Sequence, residues 1–116
     1  MRRLLALLVP LSLVLATGCS IHGKWALEKI KPTAGLHEFD YASLTLHKDG
    51  SFYGEALNPG VRATAGTYVY ENDTLVLEPY DGPRVAYSAK FRDASHLKLE
   101  QTTESQRIEA LFEKVE

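Results

Sequence analysis

The sequence predicts an all-β protein, a small antiparallel meander of approximately eight strands closing into a barrel. From Ile21 onward apolar residues alternate with polar ones instead of recurring at helical spacing, and turn-forming residues return about every eight to twelve positions. The composition agrees: 116 residues, 45% hydrophobic and 24% charged with eight Gly and five Pro, describe an ordinary globular chain. Short links between successive strands imply antiparallel neighbours, and closure removes the exposed edges of an open sheet.

The first segment is not part of that barrel. Met1-Arg2-Arg3 is a positive start, residues 4–15 are an apolar run, and Ala16-Thr17-Gly18-Cys19 follows, the tripartite plan of a secretory signal. The apolar run is about 12 residues, short of the roughly 20 that span a bilayer. A small residue directly before a lone cysteine resembles the bacterial lipobox, in which a diacylglycerol is added to the thiol and cleavage leaves Cys19 as the mature N-terminus. Ala16 stands where leucine is commonest in that motif. The alternative is an ordinary secreted protein with an unpaired thiol. Ser20 differs from the aspartate typical of inner-membrane retention, so the resemblance implies a bacterial envelope protein anchored in the outer membrane through its lipid. Residues 1–18 are thus expected to be a signal peptide, 19–22 a lipidated N-terminus and short tether, and 23–116 the barrel. Removing the first 18 residues leaves 98, with 11 basic against 15 acidic residues and a net charge of −4. That balance speaks against a nucleic-acid surface. One cysteine excludes an internal disulfide framework and any zinc site with more than one thiolate.

The expected strands follow in order. Residues 23–30 put Trp25 and Leu27 on one face and end at Lys31-Pro32-Thr33-Ala34-Gly35. Residues 41–47 carry Leu44 and Leu46 and turn at Lys48-Asp49-Gly50 into 51–57. A two-residue turn there would pair Leu46 with Tyr53 and strand Phe52 on the opposite face. A three-residue loop with Gly50 left-handed in a bulge pairs Leu46 with Phe52 and unites Leu44, Leu46 and Phe52, and is the turn expected. Asn58-Pro59-Gly60 leads to 62–70, with Tyr68 and Tyr70 together, and Glu71-Asn72-Asp73-Thr74 turns into 74–78, with Leu75 and Leu77. After Asp81-Gly82-Pro83, residues 85–92 align Tyr87, Ala89 and Phe91. After Asp93-Ala94-Ser95, residues 96–101 align Leu97 with Leu99. A polar loop over 102–106 precedes 108–115, which has apolar residues on both faces and an open register.

Gly23-Lys24-Trp25 resembles the Gly-x-Trp signature of lipocalins and related calycin barrels, in which the tryptophan closes one end. Residues 44–52, 66–70 and 73–77 and the closing Phe112-Glu113-Lys114-Val115 extend that likeness to the compact lipocalin-like domains of bacterial lipoproteins, over essentially the whole mature chain. The first strand is also similar to that of META-type lipoprotein domains, whose Cys-Asn segment this chain lacks. Such motifs speak to fold more than to activity. The expected interior is Trp25, Leu27, Leu44, Leu46, Phe52, Tyr68, Tyr70, Leu75, Leu77, Tyr87, Phe91, Leu97 and Leu99. An eight-stranded barrel holds its own side chains or one small ligand, so this many large residues favour a filled core or a shallow mouth pocket. The other reading is a small-molecule site lined by Trp25, Tyr68, Tyr70 and Tyr87, with hydroxyls among apolar walls.

Catalytic signals are missing. No serine lies in a nucleophile motif, and no phosphate-cradling glycine loop occurs. His22, His37, His47 and His96 are scattered, with no pair at metal-ligand spacing, so neither a metal nor a cofactor is expected. Glu100, Glu104, Glu109 and Glu113 read as a solvated acidic face. The sequence therefore predicts a non-enzymatic, membrane-anchored barrel binding a small apolar ligand or an envelope component. The alternative is a protein-interaction module, such as an inhibitor or assembly factor, with a filled barrel and an exposed patch near Phe39, Tyr41 or Tyr80.

Overall fold

In the computed structural model, which describes residues 20–34, 39–58, 63–102 and 106–115, eight strands run in sequence order. The expected signal peptide and Cys19 lie outside the described residues, as do His37 and Glu104. The strands are β1 Gly23–Lys31, β2 Tyr41–Leu46, β3 Ser51–Ala56, β4 Thr64–Glu71, β5 Thr74–Pro79, β6 Val85–Asp93, β7 His96–Thr102 and β8 Arg107–Lys114. Each pairs antiparallel with the next, and β8 pairs with β1 to close the barrel. No helix among these residues is long and apolar enough to cross a membrane.

Alternation places the core. Trp25, Leu44, Leu46, Phe52, Tyr68, Leu75, Leu77, Tyr87, Leu97 and Leu99 are buried as the pattern requires, while Leu27, Tyr70 and Phe91 are half-buried against them. The β2–β3 turn is the bulged form: Leu46 faces Phe52, the His47 carbonyl accepts from the Gly50 N–H at 3.1 Å, and Gly50 has φ 92°, a conformation open to glycine. The open register of β8 resolves with Ile108, Ala110 and Phe112 inward and Leu111 on the other face.

Three register shifts change which residues face the core. In β2, Tyr41 faces Ala56 and Ser43 faces Glu55, so Ala42 is the extra residue. That slip reverses the parity of the strand and turns Tyr41 inward with Leu44, although the two are three residues apart. In β1, Leu27 faces Phe112 and Lys29 faces Leu111, which leaves Glu28 extra and lets both Leu27 and Ile30 pack on the core. In β6, Phe91 faces Leu97 and Asp93 faces His96, so Arg92 is bypassed.

Phe39 and Tyr41 therefore do not form an exposed patch. Phe39 has no exposed surface and its ring packs 6.0 Å from Tyr87 and 5.9 Å from Phe112, while Tyr80 is 75% exposed. Phe39 caps the core from the β1–β2 connection, and Tyr41 follows it inward through the Ala42 bulge.

Candidate functional site

The interior is filled. Leu75, Leu77, Leu99, Ile108 and Phe112 have no exposed surface, and Trp25, Phe52 and Tyr87 have 2% or less, which leaves no water-sized void against them. The four residues expected to line a cavity are spent on separate tasks. Trp25 Nε1 donates to the Ile21 carbonyl at 2.9 Å, its ring meets Phe91 edge-on at 6.1 Å, and the Lys114 ammonium lies 5.2 Å from its centroid. It plugs one end of the barrel. Tyr68 donates its hydroxyl to the His47 carbonyl at 2.7 Å, and Tyr70 donates to the Ala89 carbonyl at 3.3 Å while packing edge-on against Phe91. Only Trp25 and Tyr70 converge, through Phe91. Tyr87 is the exception: its hydroxyl is buried and has no hydrogen-bond partner among the described residues.

Tyr87 lies beneath the opposite end of the barrel, where the open surface forms a pocket of about 310 Å³. Its walls are Tyr41, Ala56 and Thr64 on one side and Pro79, Gly82, Pro83 and Val85 on the other, with the carboxylates of Asp40 and Asp81 at the rim. The β5–β6 turn supplies the second wall, and exposed Tyr80 stands beside it. Gly54 makes the first wall possible, since a Cβ there would fall 2.5 Å from a ring carbon of Tyr41. The electrostatics are those of a partly dry mouth. Burial raises the Asp40 carboxyl above its ordinary value, and burial followed by the nearby Asp40 charge pushes the Tyr41 phenol up to about 12, against a hydrogen bond from Thr64. Burial raises the Tyr87 phenol as well, with smaller contributions from Asp40 and Tyr41. At neutral pH both phenols are therefore neutral and Tyr87 keeps a proton to donate.

The sequence named Tyr41 only as part of an exposed patch and did not single out Thr64, because the bulge that aims Tyr41 inward has no signature in the alternation. The acidic face is also more organised than the sequence suggests. Glu100 is clasped by Arg107 at 2.5 Å and Lys98 at 3.1 Å, which holds its carboxyl below the usual range, and Glu109 reaches Lys98 at 3.8 Å. His22 lies within 3.3 Å of the Ser20 hydroxyl, and His47 is exposed at the end of β2.

The fold defines the class: an eight-stranded antiparallel meander barrel, compatible with the lipocalin-like architecture, with a packed interior and an open mouth. No protein-family model matches the chain, and no curated protein matches it.

Proposed function

We propose that this chain is a non-enzymatic recognition module of the bacterial cell envelope, lipid-anchored in the outer membrane through Cys19, that engages a partner protein at the barrel mouth. The observation that carries the binding half is the filled interior, together with an open pocket at the end bearing Asp40, Tyr41 and Val85. A carrier of apolar molecules needs an enclosed volume, and the side chains of this barrel occupy it. The mouth offers two carboxylates on apolar walls beside an exposed tyrosine, which suits a protruding side chain with an apolar stem and a cationic or hydrogen-bond-donating tip. The anchoring half rests on the leader and the lone cysteine, four residues before β1 begins at Gly23.

Each half has its own test. Cys19→Ser should abolish lipid labelling and release the protein from the membrane fraction; unchanged labelling and association would refute the anchor. A photo-crosslinking residue at Tyr80 should capture one envelope protein, and Asp40→Asn should abolish that capture while a crosslinker at Val69, exposed on β4, captures nothing. Equal capture from both positions would refute recognition at the mouth.

A further inference from the structure

Outside the mouth, strands β1, β7 and β8 bring together three side chains far apart in sequence. His96 Nε2 lies 3.7 Å from a Glu28 oxygen and 3.7 Å from a Glu113 oxygen, and the three candidate ligand atoms all fall within 4.8 Å of one another. The architecture of the barrel produces this arrangement. His96 faces Glu113 directly across β7–β8, and Glu28 is the extra residue of the β1 register shift, freed from the ladder and able to reach the same place. The β6 shift adds a fourth group. By bypassing Arg92 it sets Asp93 opposite His96, where the carboxylate meets Nδ1 at 2.9 Å, and Asp93 in turn accepts from the Ser95 N–H at 2.9 Å. Asp93 accepts from Nδ1–H, and Nε2 faces the two glutamates; in the neutral ring the Nε2 lone pair is the one offered to a metal, the arrangement by which an outer carboxylate fixes the tautomer of a metal-binding histidine. Three carboxylates surround one imidazole. Among the described residues neither Glu28 nor Glu113 has any ion-pair partner except His96, although lysines and arginines pair with glutamates elsewhere on the same strands.

We infer that His96 Nε2, Glu28 and Glu113 form a binding site for a divalent transition-metal ion of the zinc type, with Asp93 as a positioning residue. A tetrahedral zinc centre with bonds of about 2.0–2.2 Å sets its ligand atoms about 3.3–3.6 Å apart, so the two 3.7 Å spacings from His96 are nearly met and the two glutamate oxygens, within 4.8 Å of each other, are brought together by rotation of their exposed side chains. Two carboxylates neutralise the ion, the imidazole supplies the softer donor that favours zinc over calcium or magnesium, and three protein ligands leave a position open to water or to a group from outside. The sequence concealed this site because its ligands are 68 and 17 residues apart and because Glu28 and the positioning Asp93 each depend on a register shift.

The test is calorimetric titration of Zn²⁺ alone into the full chain in detergent, purified without a histidine tag. One ion per chain is expected, with affinity reduced tenfold or more in His96→Gln and in Glu113→Gln, about tenfold in Asp93→Asn, and unchanged in His22→Gln. Nitrogen NMR should place the zinc-induced shift of His96 at Nε2 rather than Nδ1, a readout that a merely structural Asp93 would not produce. Unaltered circular dichroism in the exposed glutamine variants checks that the barrel is intact. Absence of binding, non-saturating binding at several positions, retention of affinity in His96→Gln, or preference for Ca²⁺ over Zn²⁺ would each overturn the assignment.

Discussion

The Tyr87 hydroxyl is a small feature with a measurable consequence. A buried donor without a partner costs about 1–3 kcal/mol relative to the same group satisfied, and here it stands in an otherwise apolar core beneath the mouth pocket. Phenylalanine fits the same volume without the orphan group. Tyr87→Phe is therefore expected to leave the urea midpoint unchanged or raise it, by about 1 kcal/mol in stability. A loss of more than about 1 kcal/mol would show that the hydroxyl has a structural role in the free protein. Tyr68 and Tyr70 differ in kind, because their hydroxyls already donate to backbone carbonyls, tying β4 to the β2–β3 turn and to β6. The sequence placed all three tyrosines in the interior; which one kept an uncommitted hydroxyl depended on distances no alternation records.

At the scale of the element, register matters most. Gly54 on β3 faces Leu44 and lies under the Tyr41 ring, so the bulge at Ala42 and the missing side chain at Gly54 are two halves of one device. Gly54→Ala would drive a methyl to 2.5–2.6 Å from two Tyr41 ring carbons and 3.3 Å from a Leu44 methyl. The expected loss is about 1–3 kcal/mol, the range for overpacking a close-packed site, read as a lowered urea midpoint; an unchanged midpoint would mean that Tyr41 leaves the mouth freely. Strand positions were legible in the sequence because Leu44, Leu46 and Phe52, or Leu97 and Leu99, alternate cleanly between recognisable turns. Even the three-residue β2–β3 loop could be chosen, since the two-residue form would have stranded Phe52. The three register shifts were not legible. Each adds one residue to one strand without a Gly or Pro to mark it, and they are what place Tyr41 at the mouth and Glu28 and Asp93 around His96.

For the molecule as a whole, eight strands and the side chains they carry are matched in volume. Trp25 seals one end with Phe91 and Tyr70, Phe39 closes the other over Tyr87 and Phe112, and the leucines of β2, β5 and β7 fill the space between. A barrel filled in this way presents its chemistry at its rim and outer wall. The measurement that bears most directly on this filling is native mass spectrometry of the full chain, gently extracted from the cells that produce it. A filled barrel predicts the mass of the chain with no retained small molecule. A reproducible lipid or metabolite adduct that is lost on unfolding would contradict it, because a guest held more deeply than the open mouth could enter only if the core rearranged to make room.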